Sequence, residues 1–291
     1  MKINDDFSRY LSLIKRQYAN GTYRFYQSHL SHFEKWLTKR GIIYTEDLKY
    51  FVFDDYIADM KESCENVTIN KRIGILKRCF KQSGIELPYL QSIQKLRERS
   101  KRFEALDFEQ FIKVRKYIKD YPEKLTNGIF HKCFLALLAD TGARIQEVMS
   151  IEVKNINIKE CEILLTKTKT KEDRIVYFTN DSVDIIKKMI SIKHDHKYLL
   201  HNIDKNRPAN YDDIRYILRQ AKKNLELKKL HPHMFRHTVA TYLIESGMDL
   251  PSLMNLLGHR NLETTRRYLH MSKKHVKSSY EKSMKKINYS S

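Results

Sequence analysis

A chain of 291 residues with 41% hydrophobic content has room for two domains with ordinary cores, which excludes an unfolded basic tail protein. Eight glycines and five prolines are too few for a collagen-like or linker-like chain and leave long helices uninterrupted. With 55 Lys and Arg against 35 Asp and Glu, the net charge is +20, so a polyanion is the first partner to consider; nucleic acid ranks ahead of an acidic membrane surface because the basic residues are spread along the chain.

The first helical reading covers about 6–18. A second begins at Thr22, a candidate N-cap, and carries Tyr23, Tyr26, Leu30, Phe33 and Leu37 at steps of three and four, which is one buried stripe. A weaker helix covers about 47–60, and a fourth carries Ile69, Ile73, Leu76 and Phe80 and stops near Gly84. The face opposite that stripe holds Lys71, Arg72, Lys77, Arg78 and Lys81. Residues 1–85 therefore read as a small helical domain whose basic faces suit a phosphate backbone, a solvated cationic surface being the plainer alternative. Residues 86–103 carry Lys95, Arg97, Arg99, Lys101 and Arg102 without apolar periodicity and read as a basic linker, either a clasp around a duplex or a plain tether.

A fresh helix start at Asp107, with Gln110 three residues on and Phe108, Phe111 and Ile112 as its apolar face, opens the second domain, 104–291. Within it, 132–139 reads as a buried helix, Thr141 and Gly142 as its break, and 145–150 as the next helix. Short β-rich runs at 156–158, 163–165 and 175–178 form a small antiparallel sheet. Helices follow at about 181–192, 210–228, 235–246, 250–257, 262–270 and 275–287. The fold class is mainly α with a small antiparallel β-sheet.

The longest purely apolar run, 133–139, is far below the roughly 18 residues of a membrane span, so no membrane partner is expected. Asp5 and Asp6 stand where a secretory signal would carry positive charge. Cys64, Cys79, Cys133 and Cys161 are widely spaced and suggest neither a disulfide frame nor a zinc site, so a reducing cytoplasm is the expected location.

Three segments concentrate chemistry. Thr141-Gly142-Ala143-Arg144-Ile145-Gln146-Glu147 puts an arginine directly after a tight helix-to-helix break, where its fork can enter a cleft. His233-Met234-Phe235-Arg236-His237 opens a helix, where backbone N–H groups favour an anion. Leu257-Gly258-His259 is followed by Thr264-Thr265-Arg266-Arg267-Tyr268.

On these residues the chain resembles the tyrosine recombinase (phage integrase) family. That family carries a Thr-Gly-x-Arg-x-x-Glu box, a His-x-x-Arg box, a Leu-Gly-His box and a nucleophilic tyrosine nine residues beyond the last histidine, and here Tyr268 follows His259 by nine. The likeness spans about 103–270, with Phe235 standing where leucine is usual. Over 1–85 the resemblance is looser and implies a helical, SAM-like core-binding domain, ahead of an α+β catalytic domain.

A phosphodiester under attack accumulates negative charge on its non-bridging oxygens, and two guanidiniums can grip those oxygens bidentately; Arg144 and Arg236 suit that task. A neutral phenol with a pKa of about 10 is a poor nucleophile, so Tyr268 needs a base and a cationic site, and His233 is the candidate base. The leaving 5′ oxygen must acquire a proton, a role that the resemblance gives to a lysine on a β-hairpin. Aligning Arg174-Ile175-Val176 with the family's strand after the turn favours Lys169, with Lys167 and Lys171 as rivals. The resemblance further implies that His259 donates to or positions the phosphate and that Glu147 buttresses the cluster from behind. DNA-binding candidates are Lys71, Arg72, Lys77, Arg78, Lys95, Arg97 and Arg99.

Singly, each of these residues has a plain structural reading, as a surface arginine or a capping histidine; their joint order and spacing do not. His233 and His237 have the i, i+4 spacing of a metal pair with His231 nearby, but no carboxylate ligand or His-Glu-x-x-His pattern accompanies them, so no metal and no cofactor are expected. Of the other late tyrosines, Tyr242 shares an apolar stripe with Val239 and Leu243, Tyr280 shares one with Val276, Met284 and Ile287, and Tyr289 is the last. The resemblance implies that the 275–291 helix packs into a neighbouring subunit, packing on its own domain being the alternative. The expected activity is site-specific cutting and rejoining of double-stranded DNA through a 3′-phosphotyrosine, in integration, excision or dimer resolution. A homo-oligomer is expected, a dimer on each site and a tetramer in the synapse, with accessory DNA-bending proteins as further partners. A type IB topoisomerase and a non-cleaving DNA-binding relative are the alternatives. The first helical module lies so near the start that no arm-binding domain is expected, which favours a short Xer-like or mobile-element enzyme.

Overall fold

The computed structural model describes residues 2–98, 104–123, 127–166, 172–192 and 196–259. The chain divides into two compact units, Met1–Lys101 and Arg102–Ser291.

The first unit is helical: α1 (Ile3–Gln17), α2 (Asn20–Thr38), α3 (Tyr50–Ser63), α4 (Asn66–Gln82) and α5 (Pro88–Ser92). Its core is aromatic. The tilted rings of Phe33 and Tyr56 lie 4.7 Å apart, Phe7 lies 5.8 Å from Phe80, and all four rings are at most 2% exposed. Gly84 ends the fourth helix in the left-handed region, φ +71, where Ile85 N donates back to Phe80 O at 2.9 Å. Thr22 is not the N-cap of α2. The helix starts at Asn20, and the Ala19 carbonyl accepts from the Thr22 and Tyr23 amides, so Thr22 lies inside the first turn.

The described part of the segment read as a free linker, 86–98, is instead docked on the first unit. Leu90 is fully buried, and Leu87, Ile93 and Leu96 pack beside it. Lys77 Nζ donates to Gln91 O at 2.9 Å and Ile93 O at 2.6 Å, while Asn70 pairs with both backbone groups of Leu96. Irregular backbone held by side-chain hydrogen bonds has no period to detect. The same contacts correct the basic face of α4. Lys77 is engaged on α5, and Arg72 turns inward, with Nη1 3.0 Å from His32 Nε2. Lys71, Arg78, Lys95 and Arg97 are exposed, and Arg99 lies outside the described residues.

In the second unit, α6 (Phe108–Lys119) starts at the expected capping box, with Gln110 N on Asp107 Oδ1 at 2.8 Å and Asp107 N on Gln110 Oε1 at 3.2 Å. The next helix, α7 (Gly128–Thr141), is buried along nearly its whole length, with Phe130, Phe134, Leu137 and Leu138 fully enclosed. Then come α8 (Ile145–Met149), β1 (Ile156–Asn157), β2 (Glu162–Leu165) and β3 (Arg174–Tyr177). The three strands pair antiparallel in the order β1-β2-β3, with Ile163 opposite Val176 and Leu165 opposite Arg174. Ile163, Leu165 and Val176 face the core, whereas Leu164, Ile175 and Tyr177 face out, as a period of two requires. The unit continues with α9 (Asn180–Ser191), β4 (His201–Asn202), β5 (Arg207–Pro208), α10 (Tyr211–Asn224), α11 (Pro232–Glu245) and α12 (Leu250–Leu257). The sequence placed the start of α11 three residues late, because Pro232 at the first helical position precedes the apolar pattern. The helices expected at 262–270 and 275–287 lie outside the described residues. Among the described residues no helix is long and apolar enough to cross a membrane.

Leu90→Ala is expected to destabilise the chain by about 2–5 kcal/mol in urea denaturation, the cost of a truncated core leucine. A loss below about 0.5 kcal/mol would show that residues 86–98 are a tether after all.

Candidate active site

Two left-handed glycines shape the site. Gly142, at φ +58, ends α7, and a Cβ there would sit 3.1 Å from Val239 Cγ1. Thr141 steadies the break by donating to Leu137 O and accepting from Ala143 N. Arg144 is thereby set at the start of α8. Its amide donates to Glu147 Oε2 at 2.7 Å, its Nη1 to Oε1 at 2.9 Å, and its Nη2 to Gly258 O at 3.1 Å. Gly258, at φ +63, ends α12 in the same way.

The helix α11 opens with His231 as N-cap, its Nδ1 accepting from Met234 N at 3.3 Å. Arg236 follows one turn in and is 4% exposed. Its Nη1 donates to Gly142 O at 3.0 Å and its Nη2 to Leu257 O at 2.6 Å, with His259 Nε2 2.8 Å from the same nitrogen. A guanidinium has no acceptor, so His259 accepts through Nε2 and carries its proton on Nδ1.

A helix C-terminus leaves carbonyls without amide partners and carries partial negative charge. Three consecutive carbonyls at the end of α12 each take a different arginine: Leu256 O accepts from Arg174 Nε at 2.8 Å, Leu257 O from Arg236 and Gly258 O from Arg144. Three guanidiniums from β3, α11 and the start of α8 thus meet at one helix end, and two of them, Arg144 and Arg174, pair with the 2%-exposed Glu147. Burial would raise the Glu147 carboxyl, but hydrogen bonds and charge from Arg174, then from Arg144, outweigh it and hold the group below its usual range.

Burial, reinforced by these cations, keeps the histidines neutral. His259 is pushed down to about 4 by burial and then by Arg236, Arg144 and Arg174, and His237 to about 4 by burial, His233 and Arg236. His233 is lowered by burial, then by Arg236, His231 and Arg144, so at neutral pH its ring is free of charge and able to take a proton.

Of the residues singled out in the sequence, Arg144, Glu147, Arg236 and His259 share one hydrogen-bonded cluster, and His233 lies within its electrostatic reach. Tyr268 and the lysines Lys167, Lys169 and Lys171 lie outside the described residues. Arg174 was missed as a member of the cluster. It stands 27 positions from its partner Glu147, at the start of a strand whose alternation speaks only for packing. Tyr242 packs its ring 5.5 Å from Phe111, and burial, followed by Glu245 and Asp107, raises its phenol, which makes it a poor nucleophile. In the His231–His233–His237 run the ring centroids of His233 and His237 lie 6.4 Å apart, and His231 Nδ1 caps α11.

The chain belongs to the phage integrase family, the tyrosine-type DNA recombinases: the family's own pattern matches residues 104–275, and that of its N-terminal SAM-like domain matches 5–82. A probable integrase/recombinase of Acholeplasma phage L2 is 28% identical over 290 residues, covering 97% of this chain and 98% of the relative. Tyrosine recombinase XerA of Saccharolobus solfataricus is 32% identical over 224 residues, covering 77% of this chain and 70% of that protein. The crystal structure of XerH site-specific recombinase bound to palindromic difH substrate, a post-cleavage complex, shares the fold with a TM-score of 0.76 at 17% identity, over 94% of this chain and 83% of that one.

The depressed histidines fix the sign of a pH effect. Below the ordinary histidine value of 6.5 the unfolded chain binds protons that folded His237 and His259 refuse, so their stabilising contribution is present above pH 6.5 and lost as pH falls toward about 4. The melting temperature is expected to drop across that window, and less steeply in His259→Gln. A melting temperature that stays flat from pH 6.5 to 4 would contradict the buried neutral rings.

Proposed function

We propose that this chain is a site-specific recombinase of double-stranded DNA in which Arg144 and Arg236 grip the scissile phosphate, His259 positions it, and Tyr268 attacks. His233 takes the phenol proton as the Tyr268 oxygen bonds to phosphorus. The bond to the 5′ oxygen breaks, and Lys169 protonates that oxygen, leaving a 3′-phosphotyrosine and a 5′ hydroxyl. Attack by a 5′ hydroxyl of the partner strand reverses the step and releases the tyrosine. One phosphoester bond replaces another in each direction, so no nucleotide hydrolysis is required.

What carries this reading is the gathering of three guanidiniums at the end of α12, two of them bonded to the Glu147 carboxylate. The surplus positive charge, placed before any anion arrives, is what a crowded phosphorus with developing charge demands. Arg144, 24% exposed, offers that charge to solvent, and the neutral His233 leaves a base at hand. The first unit acts as the core DNA-binding domain, with Lys71, Arg78, Lys95 and Arg97 toward phosphates and Arg72 and Lys77 holding its helices together. The assembly is a dimer on each site and a tetramer in the synapse, with the 275–291 segment joining subunits and DNA-bending proteins assisting, on the nucleoid in the cytoplasm.

Covalent adducts captured from fragmented host DNA and sequenced are expected to return one recurring site. Arg144→Ala should lower the yield by at least about 100-fold, in line with removal of an oxyanion donor, and Tyr268→Phe should abolish it. An undiminished adduct in Tyr268→Phe would overturn the assignment. In a binding assay on that site, Lys71→Ala and Arg78→Ala are each expected to reduce the slope of log affinity against log salt by about one, whereas Lys77→Ala leaves the slope and lowers stability. An unchanged slope in all three would contradict the division of labour on α4.

A further inference from the structure

Arg174 belongs to none of the boxes that define the site, yet it holds Glu147 more fully than Arg144 does. Its Nη1 and Nη2 meet the two carboxylate oxygens at 3.0 and 2.7 Å, and its Nε reaches Leu256 O at 2.8 Å. The Arg174 side chain is 9% exposed against 24% for Arg144. Gly258 makes room for it: a Cβ at that position would lie 2.9 Å from Arg174 Nη1, with φ already at +63.

The charges decide what this fork does. Glu147 sits at 2% exposure, where a carboxylate must be matched by a cation. If Arg144 were its only partner, the two would close into a neutral bidentate pair, and the guanidinium that reaches solvent would be satisfied internally. With the buried Arg174 in place, Glu147 takes from Arg144 one guanidinium bond and one backbone amide, and the other Arg144 nitrogen stays on Gly258 O.

We propose that Arg174 is a positioning residue that neutralises Glu147 so that Arg144 keeps its charge and orientation for the scissile phosphate. The inference rests on the reading of Arg144 given above. A rivet that merely fastens β3 to α12 would use the same hydrogen bonds, but it would matter whether or not Glu147 is charged. A neutraliser matters only while the carboxylate is there.

That difference is measurable in a cycle of Arg174→Gln, Glu147→Gln and the double variant, read as single-turnover cleavage of a nicked duplex bearing the captured site. Arg174→Gln is expected to slow cleavage by about 10- to 100-fold with DNA affinity changed by less than about threefold, whereas in the Glu147→Gln background the same substitution costs less than about threefold. Equal penalties in the two backgrounds overturn the proposal, as does the absence of any penalty from Arg174→Gln. Arg174→Lys keeps the cation without the fork and is expected to fall between wild type and Arg174→Gln. It carries the same cycle should Arg174→Gln melt below the assay temperature. A wild-type chain that forms no adduct on this duplex would strike the functional reading itself; a normal wild-type adduct with additive variants strikes only the role of Arg174.

Discussion

The last carbonyls of one short helix organise the catalytic unit. An α-helix that stops at a left-handed glycine exposes oxygens its own amides cannot reach, and they sit at the negative end of the helix dipole. In this chain Leu256, Leu257 and Gly258 offer three such oxygens in succession, and each is taken by an arginine from a different element. Like charges are thereby held together before any anion is present. Part of the cost is met by the helix end and part by Glu147, and what remains is a positive field directed at one place.

Burial and that field together set the titration of its neighbours. Burial first, and then the neighbouring guanidiniums, disfavours a charged imidazole, so His259 and His233 are neutral near pH 7. His259 shows this in its geometry, since the nitrogen facing Arg236 must be the bare one. The fold beneath has little freedom to adapt. The buried α7 ends at Gly142 with Arg144 just beyond it, α11 delivers Arg236 from another side, and both guanidiniums anchor on backbone carbonyls at the end of α12.

Much of this was legible in the sequence for a physical reason: local spacing encodes local geometry. Steps of three and four placed the core faces of α2 and α4, Asp107 and Gln110 fixed the start of α6, and the Thr-Gly-x-Arg-x-x-Glu, His-x-x-Arg and Leu-Gly-His boxes lie within single turns of the elements that position them. Contacts made over long separations left no such mark. Arg174 meets Glu147 across 27 residues and α12 across 82. The docking of residues 86–98 depends on Asn70 and Lys77, whose amide and ammonium groups carry no period. The basic face of α4 was read correctly as a face, but a helical wheel does not tell how far a long side chain reaches. Arg72 and Lys77 lean onto protein, while Lys71 and Arg78 remain exposed.

In the proposed chemistry the arginine cluster serves the phenol oxygen of Tyr268. Mass spectrometry of the trapped complex, digested with nuclease and protease, tests it most directly. Nucleotide mass is expected on the peptide containing Tyr268 and on no other. Nucleotide on Tyr242, Tyr280 or a non-tyrosine residue, with the Tyr268 peptide unmodified, would contradict it.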